Sequence, residues 1–147
     1  MTKRELAQAN FHQGYNCCQA VLVAFAPELG LTPGQAARLG SSFGGGVARL
    51  REICGAVSAM ALAAGLHSGY ELPEDAEGKS AHYGRVRLMA ARFKKENGSY
   101  VCRELLAAAK TAPGPEPEPR TPQFYHNRAC EKYVGDAAEI LEDLFKA

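Results

Sequence analysis

Apolar positions recur along most of the chain at intervals of three and four residues, the period of a helix with one face turned to a core. From Thr2 to Phe11, Leu6 and Phe11 supply apolar contacts, Thr2 can cap, and Glu5 stands three residues on, as in a capping box. Gly14 ends that segment. Asn16 can cap a second helix, in which Cys17, Ala20, Val21, Ala24 and Phe25 share a stripe that runs out near Leu29-Gly30. Thr32-Pro33 has the order of a cap followed by a first helical residue and predicts a short helix over Pro33 to Leu39. Ile53 to Leu66 is almost wholly small and apolar, which suits a central helix buried on most sides. A long amphipathic helix is expected from about Glu77 to Asn97, with Tyr83, Val86, Met89, Ala90 and Phe93 as its apolar stripe. Asn97-Gly98 closes it, and Ser99 can cap a short helix through Cys102 to about Ala109. Helical spacing returns from about Asn127 in Tyr133, Val134, Ala137, Ile140, Leu141 and Leu144.

No stretch alternates as a strand does, so the expected class is all-α: a compact single-domain bundle of five to seven helices spanning residues 1–147. Three interruptions organise it. Ser41 to Gly46 ends in three glycines, each costing roughly 1 kcal/mol in a helix interior relative to Ala, and reads as a turn. Ser68 to Ala76 reads as an exposed loop. Pro113 to Pro119 forbids regular structure, so about residues 112–122 should form an exposed, partly extended connector before the last helix.

Composition narrows the function classes. The chain has 147 residues, 46% hydrophobic and 22% charged, enough to bury one core. Its formal net charge of +1 gives no electrostatic reason to expect a nucleic-acid partner. No window approaches the roughly 20 apolar residues of a membrane span, and the polar start lacks the features of an export signal. A cytoplasmic protein is expected.

Five cysteines without a secretory signature argue against a disulfide scaffold and for thiols, metal ligands or transient redox partners. Cys17, Cys54, Cys102 and Cys130 each fall near an expected helix N-terminus, where free amides and the positive end of the helix dipole favour a thiolate. Cys17 and Cys18 are adjacent, and helical neighbours point about 100° apart, so only one of them should join a shared site. No C-x-x-C pair is present, and any common site must be assembled by folding. Two chemistries remain open. The cysteines could cycle between dithiol and disulfide, or hold zinc or an iron–sulfur cluster as thiolates.

Tyr15-Asn16-Cys17-Cys18-Gln19-Ala20, Ser42-Phe43-Gly44-Gly45-Gly46, Ile53-Cys54-Gly55-Ala56-Val57, Val101-Cys102-Arg103-Glu104-Leu105 and Cys130 together resemble a family of proposed redox-active proteins named for its cysteine pattern: C, then CGAxxG, then C, then C. The resemblance runs from about Gly14 to Leu141. It implies a mostly helical fold, a redox or metal-binding role, Cys17, Cys54, Cys102 and Cys130 as the pattern cysteines, and Cys18 as the extra one. Ala59 stands where the pattern has its final glycine, and its methyl is expected to restrict close packing there.

Gly44, Gly45 and Gly46, with Arg49 and Arg51 following, could form an amide nest for an anionic cofactor or permit a tight turn beside Cys54. Arg49 and Arg51 are expected to face solvent or pair with Glu52. The four histidines, His12, His67, His82 and His126, lack helical metal-site spacing, and His82 is expected to face solvent. The redox reading implies a redox partner. The alternative class is a non-enzymatic accessory protein, self-associating as a homodimer through small residues such as Ala56, Ala59, Ala63 and Ala64, which would tolerate Ser at each cysteine.

Overall fold

The computed structural model describes residues 1–109 and 111–146. Its helices are α1 (Lys3–His12), α2 (Cys17–Ala24), α3 (Ala26–Leu29), α4 (Pro33–Gly40), α5 (Gly55–Ser68), α6 (Ala76–Asn97), α7 (Cys102–Leu105), α8 (Pro122–His126) and α9 (Cys130–Lys146), with a 3-10 turn at Ser41–Phe43. The fold is all-α, as the pattern predicts; among the described residues, the β pairing is one isolated antiparallel bridge between Ile53 and Val101.

The nine helices among the described residues exceed the expected five to seven for local reasons. The second helix divides at Phe25, whose φ of −102° and ψ of 6° leave helical geometry, and Pro27 has no N–H with which to continue the ladder. Helix α8 starts at Thr121-Pro122 by the device seen at Thr32-Pro33: the threonine hydroxyl accepts from the amide three residues on.

Helices α1, α2, α5 and α9 pack on one another, α4 lies on α2, and α6 covers α5 and α9. Helix α5 packs on α2, α6 and α9, and α2 shares the centre with it. Small side chains set the spacing, since Ala20, Ala24, Ala56, Ala63, Ala137 and Ala138 are all buried where helices meet. Ala59 is fully buried in the core. Asp136 on α9 is also buried, where it accepts from Arg4 of α1 and from Lys132, tying the two helices together with a satisfied charge.

Two expectations on α6 are corrected. Tyr83 is 54% exposed and its hydroxyl meets that of Tyr70, whereas His82 is buried. The inward stripe runs through positions 82, 86, 89 and 93, a closer match to 3.6 residues per turn than one starting at 83. His82 Nδ1 accepts from Arg85 Nη1 at 3.1 Å, so its polar edge is not left unpaired. Among the described residues, no helix is long and apolar enough to cross a membrane.

Candidate functional site

Four helix starts supply the cysteines. Cys17 is the first residue of α2, Cys54 immediately precedes α5, Cys102 is the first residue of α7 and Cys130 the first of α9. All four open onto one cavity of about 370 Å³, although up to 113 residues separate them in sequence. Cys18 points the other way, fully buried in the core, and does not line the cavity. All five are free thiols.

Main-chain bonds and two glycines make this convergence possible. The amide of Cys54 donates to the Tyr100 carbonyl at 2.9 Å and that of Cys102 to the Glu52 carbonyl at 2.6 Å, on either side of the Ile53–Val101 bridge, which holds the two cysteines next to one another. A Cβ on Gly55 would stand 2.8 Å from the Phe43 carbonyl oxygen and 3.2 Å from Cys17 Cβ, so glycine lets α5 start against α2. Gly46 does the same for Cys102, whose Cβ would lie 2.8 Å from an added methyl. On the opposite wall, Asn16 caps α2 in a reciprocal box with Gln19 and reaches the carbonyls of Gly40 and Ser41, fixing the start of the glycine-rich segment.

That segment is neither an ordinary turn nor a simple amide nest. Gly45, Gly46, Val47, Ala48 and Arg49 all have φ between 45° and 72°, and Arg51 follows at 62°. Amides from Val47 to Glu52 donate back to carbonyls of Ser42 to Val47, closing a left-handed helical turn. Non-glycine residues pay roughly 1–2 kcal/mol each for this conformation. Its consequence is positional: Arg49 and Arg51 both line the cavity.

The expectation that these arginines face solvent or pair with Glu52 is therefore corrected. Glu52 pairs with Arg103 instead. Arg49 donates to the carbonyls of Ala112 (2.6 Å), Gly114 (2.9 Å) and Glu116 and pairs with Glu118. It clasps the proline-rich segment, whose Pro115, Pro117 and Glu118 line the cavity, so this connector is exposed on its outer side and anchored on its inner side. Arg120 donates to the carbonyls of Phe11 and Tyr15, each at 3.0 Å, and packs on the Phe11 and Phe124 rings. Arg128 pairs with Glu118 and lies over Phe124. Arg51 Nη1 stands 3.9 Å from Cys102 Sγ.

These surroundings separate the thiols. Cys17 and Cys130 face each other closely enough that a hydrogen bond from Cys130 lowers the Cys17 pKa, overcoming burial, with help from Arg120, Cys17's own amide and Arg128. The same pairing, followed by burial, holds Cys130 well above the ordinary thiol range. Burial, then the nearby Cys17 charge, pushes Cys54 up, while Ala56 and Val57 amides oppose this only in part. Burial also raises Cys102, against the pull of Arg51. Helix N-termini were expected to favour thiolate at all four; desolvation overrides that at Cys54 and Cys102, the pairing with Cys17 and then burial override it at Cys130, and one thiolate disfavours the next. Cys17 is also the least buried of the five.

Arg120, Arg128, Phe124 and Glu118 escape sequence reasoning because they lie in and after a proline-rich stretch with no helical period. Their only signal is a knot of arginine and aromatic residues just before Cys130. Among the described residues, no group of three or more His, Cys, Asp and Glu could hold a metal ion.

Taken together, fold and site define an all-α protein that gathers four cysteines, distant in sequence, around one arginine-lined cavity. The chain belongs to the family described as "Putative redox-active protein (C_GCAxxG_C_C)", which matches residues 15–144. No curated protein and no solved structure matches it.

Proposed function

We propose that the cavity is a thiol–disulfide centre in which Cys17 attacks and Cys130 resolves. The observation that carries this reading is that Cys17, the least buried of the five, and Cys130 open from two helix starts onto one cavity, where their interaction makes Cys17 the easier thiolate and holds the proton on Cys130 until it is needed. Cys17 thiolate attacks one sulfur of a substrate disulfide, and the other sulfur leaves and takes up a proton. Cys130 then loses its proton and attacks Cys17 sulfur, which releases the second substrate thiol. Two protein thiols are oxidised to one disulfide, and one substrate disulfide is reduced to two thiols. Five free thiols and the family's redox description fit this chemistry and a reducing, cytoplasmic setting.

Four thiols on one cavity are also the donor set of a zinc or iron–sulfur site, but as positioned they form no ligand cage, so no step is assigned to a metal. The test is a thiol count during titration with a mild disulfide oxidant, alongside elemental analysis of protein purified without oxygen. Reversible loss of two thiols, abolished in Cys17→Ser and stalled as a mixed disulfide in Cys130→Ser, is the expected result. Near-stoichiometric zinc or iron that disappears in Cys54→Ser would replace this reading with a metal centre, and unchanged behaviour in every single Cys→Ser variant would favour the accessory protein.

A further inference from the structure

The charged groups lining the cavity are four arginines and one carboxylate, Glu118, in a chain whose formal net charge is only +1. Glu118 is shared by Arg49 and Arg128. Arg120 meets carbonyls and rings and has no anionic partner among the described residues. Arg51 has still less, because Nη2 is buried with no hydrogen-bond partner among the described residues and Nη1 has only the Cys102 sulfur at 3.9 Å. A guanidinium nitrogen is among the costliest groups to bury unpaired, yet the left-handed backbone at Arg51 holds it there. A carboxylate meeting the part of Arg51 that lines the cavity would supply the anionic partner this guanidinium lacks, and the cavity is large enough for a small molecule.

We propose that the cavity binds a small organic anion, its carboxylate seated on Arg51 beside Cys102 and its carbon body against Phe11, Phe124 and Leu106. Insofar as the substrate's class rests on the thiol reading above, the anion is a low-molecular-weight disulfide carrying a carboxylate, reduced by Cys17 and Cys130 in the two balanced exchanges already described. Arg51 then acts as a specificity residue that selects substrates by charge.

The experiment compares three disulfides with the reduced full-length chain: 3,3′-dithiodipropionate (anionic), bis(2-hydroxyethyl) disulfide (neutral) and cystamine (cationic). Each rate of thiol loss is divided by the same disulfide's rate with free 2-mercaptoethanol, a thiol with no charged group besides its thiolate, which removes intrinsic reactivity. The anionic compound is expected to lead the cationic one by roughly tenfold or more at low salt, with the lead shrinking in concentrated sodium chloride. Arg51→Gln should bring the anionic-to-neutral ratio near one, whereas Arg51→Lys should retain part of it. In parallel, heat-detected titration with 3,3′-thiodipropionate, which has no disulfide to react, should show saturable binding that Arg51→Gln removes. Equal normalised rates for all three disulfides, with thiols oxidised, would overturn the anion site and leave the thiol reading intact. If no disulfide oxidises the protein, the thiol reading fails; thiodipropionate binding that depends on Arg51 would then still sustain the anion site, and its absence would overturn it.

Discussion

Cys17 differs from Cys18 by one position and by nearly everything that surrounds its sulfur. One opens to the cavity beside Cys130, Arg120 and Arg128, while the other is sealed in the core, where burial and then the neighbouring Cys17 charge push its pKa up to about 12. Alkylation by neutral iodoacetamide, which consumes thiolate, should therefore modify Cys17 first. Because its folded pKa is lowered, the rate should rise with pH and reach half its plateau below the ordinary thiol range. Peptide mass mapping across a pH series checks this, and labelling of Cys18 ahead of Cys17 would contradict it. That only one of the two neighbours reaches the cavity was legible at this scale from 100° of helical rotation, while the choice of Cys17 over Cys18 came from the family resemblance. Their unequal acidity was not legible, because it depends first on Cys130, 113 positions from Cys17, and then on Arg120 and Arg128.

Between elements, the critical contacts are made by residues without side chains. Gly55 lets α5 begin against the Phe43 carbonyl and Cys17 Cβ, and Gly46 lets the left-handed turn approach Cys102. Gly55→Ala should force α2 and α5 apart and cost about 1–3 kcal/mol, the range of an overpacked core. Denaturant unfolding measures the loss, and Cys17 alkylation in the same variant should lose its preference as the sulfurs separate. Full stability with unchanged labelling would refute the close-packing argument. Some helix starts were readable from caps, since Thr2, Asn16 and Thr32 do what their residue types predict, but Ser99 does not cap α7: that helix is Cys102–Leu105, its cap is Val101, and Ser99 Oγ accepts from the Val101 amide and donates to Glu104. The Ile53–Val101 bridge was not readable, being too short to alternate, and neither was the left-handed turn, since Val47 and Ala48 give no hint of positive φ. His82 took the inner place assigned to Tyr83 because one residue of register rotates the stripe by 100°.

At the scale of the whole molecule, the proline-rich segment closes over a site built from residues spread along the chain, from Cys17 to Cys130. Proline composition conveys stiffness and exposure, but not that Arg49 holds the carbonyls of Ala112, Gly114 and Glu116 against the cavity. Arg49→Ala should release that strap. Limited proteolysis between Ala112 and Arg120 should accelerate, and Cys17 should react faster with bulky maleimides, with a smaller change in global unfolding than in Gly55→Ala, because α1, α2, α5 and α9 pack on one another without Arg49 and Arg120 still ties the far end of the strap to Phe11. An unchanged cleavage pattern would mean that the clasp does not hold the segment in solution.

The measurement that bears most directly on the whole account is a disulfide map of the full-length protein after oxidation by one equivalent of a mild oxidant, with alkylation quench and peptide mass analysis. The predicted product is a single intramolecular bond joining Cys17 to Cys130, with Cys18, Cys54 and Cys102 recovered as alkylated thiols. A bond between any other pair, or five thiols that survive oxidation untouched, would contradict it.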